Sequence, residues 1–262
     1  MSWIESDAVV LRHVKQGDTS RVVTLLARSG GKVAVLAKGS RKPGSRFGAG
    51  LDLFNVSHVR YRPRPHRDLV FLDACELRRS FAGLSRDLHG FAAAGVCAEL
   101  TDRLVPDGAE AHDVYDLLVE AIAVLAEIAP LSEGQEMRAV ALPVVFQMRL
   151  MDQLGIAPEL TACTACGSAD LEGSSSLSAR RGGLLCPRCR AAEGGRRLGA
   201  ETVAFLRASL MGELAGVAVA PDPPRRALVM ESRAALDAVL EYHHGHRVAL
   251  RSRRFLDDLG GK

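Results

Sequence analysis

Residues 20–48 read SRVVTLLARSGGKVAVLAKGSRKPGSRFG, and the fold turns on how they are parsed. Ser20–Arg28 and Lys32–Lys38 are short runs rich in β-branched and aliphatic residues, and Ser29-Gly30-Gly31 between them is a hairpin signal. The second run then opens into a segment that gives up side-chain packing. It holds three glycines (Gly39, Gly44, Gly48) and four cations (Lys38, Arg41, Lys42, Arg46). Working outward, Ala8–Val14 reads as a preceding strand and Asp52–Arg62 (DLFNVSHVRYR) as a fourth. Asp68–Glu76 (DLVFLDACE), after the turn-forming RPRPHR, reads as a fifth. Five short strands with one long basic connection fit a small closed barrel of the oligonucleotide/oligosaccharide-binding (OB) type. Periodicity alone does not separate that barrel from an SH3-like one.

From Phe81 the pattern changes to helix. LSRDLHGFAAAGVCAELTDRLV, beginning at Leu84, carries apolar residues at three- and four-residue spacings and stops before Pro106. Ala111–Ile128 repeats the pattern, and MRAVALPVVFQMRLMDQLG contains Pro143 as an expected kink and ends at Gly155. Ala200–Leu214 and Arg225–Tyr242 read as two further helices, and the tract Gly173–Ser178 (GSSSLS) as a flexible loop. The expected class is therefore α+β: an OB-fold barrel over residues 1–80, then an all-α region over 81–262 with a cysteine-rich insert at 160–195.

The formal net charge of +3 hides an asymmetry. Residues 1–80 hold 15 Lys/Arg against 7 Asp/Glu, a net +8, which leaves 19 against 24, a net −5, for the remainder. Between Lys32 and Arg67 there are nine cations and a single acid, Asp52. A charge run is commonly just a solvated face, but cations gathered in one stretch of an otherwise acidic chain favour a polyanionic partner for the first domain.

Cys163-Thr164-Ala165-Cys166-Gly167 and Cys186-Pro187-Arg188-Cys189 form a C-x2-C…C-x2-C array. Each pair presents two thiolates from one tight turn, and two such turns supply four sulfurs for a tetrahedral Zn²⁺. Paired disulfides and a redox dithiol are the alternatives. The first fits a reducing compartment poorly, and the second normally opens a helix in a βαβ context that is absent here. Four thiolates fill the shell, so the expected role is structural, with one Zn²⁺ per chain. Cys75 and Cys97 sit among apolar neighbours and read as ordinary buried cysteines.

Other chemistries are not signalled. Gly39-Ser40-Arg41-Lys42-Pro43-Gly44 has the glycine spacing of a phosphate loop but continues Ser45-Arg46 instead of Lys-Ser/Thr. There is no G-x-S-x-G elbow and no H-E-x-x-H, and His243, His244 and His246 read as a helix-end cluster that caps carbonyls or faces solvent. No catalytic set emerges, and the expectation is a non-enzyme. The opening MSWIESDAVVL lacks the features of a secretion signal, and the most apolar run, AIAVLAEIAP, is cut by Glu127 and Pro130. A soluble, cytoplasmic protein with no membrane partner is expected.

The stretch from Asp7 to Phe54 resembles the bacterial RecO family of recombination mediators. The matching elements are Gly17-Asp18 before Arg21, Gly31-Lys32, Lys38-Gly39-Ser40-Arg41 and Arg46-Phe47-Gly48, and the tail Tyr242…Leu250-Arg251-Ser252…Phe255-Leu256 is similar too. The resemblance implies an OB-fold domain joined to a helical domain with a zinc finger. It implies binding of single- and double-stranded DNA and annealing of complementary strands. It also implies partnership with RecR and with single-stranded DNA-binding protein, loading of RecA indirectly, and a cytoplasmic, nucleoid-associated location. Some family members lack the cysteines, so zinc rests here on their spacing.

The residues expected to contact DNA are Lys38, Arg41, Lys42 and Arg46, with glycines that let backbone approach phosphate. Arg60, Arg62, Arg64 and Arg67 join them on charge alone. Phe47 and Tyr61 are the nearest aromatics and are candidates to stack on bases, with barrel core as the alternative for both. Two other readings compete. One is a zinc-containing interaction adaptor whose basic barrel docks an acidic protein; the other is a zinc-dependent nucleic-acid enzyme, which would need an open metal position.

Overall fold

Strand alternation in the first eighty residues sends Ala8, Val10, Val23, Leu25, Ala27, Val35, Ala37, Val59, Tyr61, Val70 and Leu72 into one shared core. In the computed structural model, which describes residues 3–63, 69–128, 136–171, 175–220 and 222–259, these positions lie on five strands. They are β1 (Ile4–Gln16), β2 (Ser20–Ala27), β3 (Gly31–Ala37), β4 (Val56–Tyr61) and β5 (Leu69–Arg79). The strands close in the order β1-β2-β3-β5-β4, with β1 long enough to pair with both β2 and β4. All pairings are antiparallel except β3 with β5, where Ala34 faces Leu69 and Leu36 faces Phe71. This is the five-stranded closed barrel of the OB class.

The helical part contains α1 (Leu88–Leu104), α2 (His112–Ile128) and α3 (Glu136–Gln153). After them come β6 (Ser176–Ser178), β7 (Gly183–Leu185), α4 (Pro187–Glu193) and β8 (Arg196–Arg197). The chain continues through α5 (Ala200–Met211), α6 (Ala215–Val219), α7 (Arg226–His244) and α8 (Arg251–Leu259). Contacts group Met1–Pro130 with Ser252–Lys262 in one compact unit and Leu131–Arg251 in another. Composition changes at residue 81, yet α1 and α2 pack with the barrel in the first unit.

Three local departures from the sequence pattern have identifiable causes. The fourth strand starts at Val56, not Asp52, because Phe54 adopts φ 70° and donates its N–H to Val10 O at 3.0 Å. The Phe54 ring then meets Phe91 edge-on at 5.1 Å, and that packing holds a residue which would otherwise avoid the left-handed region. Ser176–Ser178, read as loop, is instead the buried middle strand of a small sheet ordered β7-β6-β8. Its backbone pairs on both sides, which overrides the loop-like composition. Finally, the charged tail RSRRFLDDL is helical because Glu99 of α1 accepts hydrogen bonds from Ser252 N–H at 3.3 Å and Ser252 Oγ at 3.1 Å. A carboxylate there satisfies an otherwise orphaned donor and complements the helix dipole.

In the second unit α3, α5 and α7 pack together, with Pro143 buried inside α3. Arg138 of α3 is buried and donates to the carbonyls of Val217 and Ala218 at 3.2 and 2.7 Å, fixing the end of α6.

Gly31 shows how tightly the first unit is built. Its φ is +67°, and a Cβ added there would sit 1.9 Å from the Ala109 carbonyl oxygen. Gly31→Ala is expected to cost about 2–4 kcal/mol, combining a left-handed penalty with a backbone collision. Urea unfolding of the two proteins measures the difference.

Candidate nucleic-acid interface and metal centre

The segment between β3 and β4 is a chain of reverse turns, closed by Lys42 N–H to Gly39 O, Ser45 N–H to Lys42 O and Gly48 N–H to Ser45 O at 3.1–3.2 Å. It is tied to the β1–β2 turn by Arg41 N–H to Thr19 O at 2.9 Å and Gly39 N–H to Ser20 Oγ at 3.3 Å. Gly39, Gly44 and Gly48 have φ of 72°, 69° and 48°, and the space where each Cβ would lie is nearly open. Here glycine is needed for left-handed turns, and the open space leaves the backbone approachable from solvent.

Those turns hold Lys38, Arg41, Lys42 and Arg46 outward, all four exposed. Lys38 Nζ lies 4.6 Å over the Phe71 ring, and Arg46 lies 4.9 Å over the Phe47 ring. The Arg41 guanidinium donates to the carbonyls of Gly17 and Asp18 at 3.3 and 3.0 Å. Among the described residues none of the four makes an ion pair with a carboxylate. Arg62 is exposed and likewise without an ion pair among the described residues.

Arg60 is different: it pairs with Asp73 at 2.5 Å and Glu5 at 3.7 Å, and the Asp73 hydrogen bond raises its pKa further. Its charge is already answered. Arg64 and Arg67 lie outside the described residues. Phe47 corrects the sequence expectation. It is 3% exposed and packs in the barrel core with Leu51, so its ring has no face for a base. Tyr61, 1% exposed, is core for the same reason.

Two aromatics of the barrel region that the sequence pattern does not single out are exposed. Phe71 of β5 is 44% exposed and Trp3, just before β1, is 50% exposed, with the Arg60 guanidinium 5.4 Å over the Trp3 ring. The signal for Phe71 is its phase on β5, since Val70 and Leu72 on either side point inward.

The cysteines converge. The Sγ atoms of Cys163, Cys166, Cys186 and Cys189 all lie within 4.8 Å of one another, and Cys166 and Cys186 are 3.9 Å apart. Four thiolates about 2.3 Å from a tetrahedral centre would be separated by roughly 3.8 Å, so the set fits a metal ion. The first pair sits on a turn closed by Gly167 N–H to Cys163 O at 2.8 Å, and Thr164 N–H donates to Leu184 O at 2.9 Å, docking that turn against β7. The second pair opens α4, with Cys186 at its N-cap and Pro187 following.

The local field favours the thiolate at Cys163 and Cys186. Burial would push the Cys163 thiol up, but N–H donors of Cys186, Ala165 and Cys166 outweigh it and hold it at about 6. The Cys189 N–H lowers Cys186, while Cys189, hydrogen-bonded to the Cys166 and Cys186 sulfurs, is pushed up to about 12. Arg180 and Arg181 both ion-pair with Glu193 across the insert, which spends part of its positive charge internally. Cys97 is fully buried and its thiol is pushed up by burial, while Cys75 is half-buried.

This combination of barrel, helices and cysteine array is matched by two family descriptions. "Recombination protein O N terminal" covers residues 1–81, and "Recombination protein O C terminal" covers residues 85–254. The chain belongs to the RecO family. It is 38% identical to the DNA repair protein RecO of Anaeromyxobacter dehalogenans (strain 2CP-C) over 99% of this chain and 98% of that one. It is 32% identical to the DNA repair protein RecO of Exiguobacterium sibiricum over 97% and 96%, and 31% identical to that of Symbiobacterium thermophilum over 99% and 98%. Both halves of the RecO framework are therefore present in one chain, with the basic turns inside the first match and the cysteines inside the second.

The thiol geometry predicts that Co²⁺ added to metal-stripped protein will give the intense visible absorption of a tetrahedral tetrathiolate site. Cys186→Ser is expected to weaken and shift those bands, because one of four sulfur donors is lost.

Proposed function

We propose that this RecO-family chain is a DNA-binding recombination mediator that anneals complementary strands and helps load recombinase onto coated single-stranded DNA. The observation that carries the reading is a set of five exposed cations on the barrel, Lys38, Arg41, Lys42, Arg46 and Arg62, without an ion pair among the described residues. The first four sit on turns whose backbone is open to an approaching phosphate. Such a surface binds sugar-phosphate chains through charge and reads no sequence. Annealing needs two strands held together with their repulsion reduced, which requires neither nucleotide hydrolysis nor a catalytic residue.

In this reading residues 1–80 are the nucleic-acid-binding domain, and residues 81–262 supply scaffold and docking surface. RecR, single-stranded DNA-binding protein and, indirectly, RecA are the partners, and the site of action is the nucleoid. No helix among the described residues is long and apolar enough to cross a membrane. Cys163, Cys166, Cys186 and Cys189 would hold one Zn²⁺ per chain. Its role would be structural: four sulfurs would leave no position open, and metal binding on the order of 10–16 kcal/mol would fold an insert too small to hold itself.

The test is strand annealing in the presence of single-stranded DNA-binding protein and without nucleotide. The Lys38/Arg41/Lys42/Arg46 quadruple alanine variant should anneal far more slowly than wild type, and equal rates would overturn the reading. Five neutralised phosphates predict a slope near −3.5 for log affinity against log salt on single strands, from about −0.7 per contact. Lys42→Ala is expected to reduce that slope by about 0.7, whereas Arg60→Ala, whose charge is held by Asp73 and Glu5, should leave it nearly unchanged.

A further inference from the structure

We propose that the outer wall of the barrel, from β3 across β5 and β4 to the start of β1, is a base-stacking platform for single-stranded DNA, with Phe71 and Trp3 as its rings. The inference rests on the DNA-binding reading and adds the part of the ligand that charge does not explain.

The wall is built by strand phase. Val70 and Leu72 point into a core already filled by Phe47 and Tyr61, so Leu69 and Phe71 must point out, at 41% and 44% exposure. Parallel pairing sets Leu36 of β3 beside Phe71 and Ala34 beside Leu69, which extends the apolar surface over a second strand. On the far side of β5, Arg60 of β4 is held by Asp73 and Glu5 and places its guanidinium over Trp3. Phe71 thus lies on β5 and Trp3 at the lead-in to β1, two strand spacings, about 10 Å, across the wall.

Two observations choose the occupant. First, cations without an ion pair among the described residues stand at both ends of the wall: Lys38 over Phe71 at one end, and Arg62 at the other, where Arg60, its charge held by Asp73 and Glu5, covers the Trp3 ring. The partner is therefore an anion with flat apolar faces. Second, the carboxylates flanking Arg60 on this wall, Glu5 and Asp73, are both engaged by it, and farther along the strands Asp7 meets His58 and Glu76 meets Arg78, so these acids do not face a phosphate as bare charges. A single strand offers base faces together with phosphates, whereas a duplex keeps its base faces stacked inside. Ring stacking with flanking cations is the general means of holding single strands.

Trp3 is the only tryptophan in the chain, so its fluorescence reports on the wall directly. Binding of a single-stranded oligonucleotide should quench it, and a duplex of the same sequence should quench it much less. Phe71→Ala is expected to weaken single-strand binding about tenfold with an unchanged salt slope and to leave duplex binding unaltered. Phe71→Trp should restore the lost affinity. Phe71 is substantially exposed, and matching thermal melts would show that the alanine variant is folded.

If Phe71→Ala binds single strands like wild type while the quadruple alanine variant does not, the platform is refuted and the DNA-binding reading stands. If the quadruple variant also binds like wild type, the DNA-binding reading itself fails. Equal losses on single strands and duplex would refute stacking. Self-association of the protein that Phe71→Ala abolishes, with DNA affinity intact, would assign the wall to protein contact and overturn the proposal.

Discussion

The parallel pairing of β3 with β5 is the constraint on which the first unit depends. Because β3 has β2 on one edge and β5 on the other, the chain leaving Ala37 finds no open strand edge beside it. It must travel to β4 by a connection that makes turns instead of ladder hydrogen bonds. Phe47 and Leu51 anchor that connection in the barrel interior, and the cations Lys38, Arg41, Lys42 and Arg46 are left exposed. Charge is tolerated there because nothing competes to bury it, and it is concentrated because the turns are short. The topology thus produces the cationic surface as a by-product of closing the barrel.

The same constraint explains which parts of the molecule were legible in the residues. The β2–β3 hairpin and the cysteine array are local: a Gly-Gly turn and two C-x2-C turns state their geometry within a few positions. The roles of Phe47 and Phe71 are not local. Phe47 lies in an aperiodic segment, so no alternation says that it faces inward. Phe71 lies in Leu69-Val70-Phe71-Leu72, where both phases are apolar and a period of two has no polar partner to mark the outside. Only the pairing of β5 with its neighbours fixes which phase is buried. The helix at Arg251–Leu259 was hidden for a related reason, since the carboxylate at its N-terminus comes from Glu99, distant in sequence. The serines of β6 belong with these cases, because their burial is imposed by flanking strands.

Charge is allotted differently on the barrel and in the cysteine insert. On the barrel, Arg60 is answered by acids and orients a ring, while Lys38, Arg41, Lys42, Arg46 and Arg62 stay without an ion pair among the described residues. In the cysteine insert, Arg180 and Arg181 are answered by Glu193 and backbone donors turn inward on the Cys163 and Cys186 sulfurs. The first arrangement leaves attraction available to a ligand. The second uses it to hold a small sheet and a two-turn helix around one point.

The clasp between Glu99 and Ser252 has a consequence for the order in which the chain matures. The unit that begins with β1 is finished by the helix from Arg251 to Leu259, and the residues grouped separately as Leu131–Arg251 are translated in between. On a ribosome the barrel and its first two helices therefore emerge long before the last piece that covers them. Gly95, whose missing Cβ leaves room for Ser252, keeps that late-arriving berth open. Nascent chains stalled before residue 251 would expose an incomplete surface around α1, a stage at which chaperone capture competes with completion.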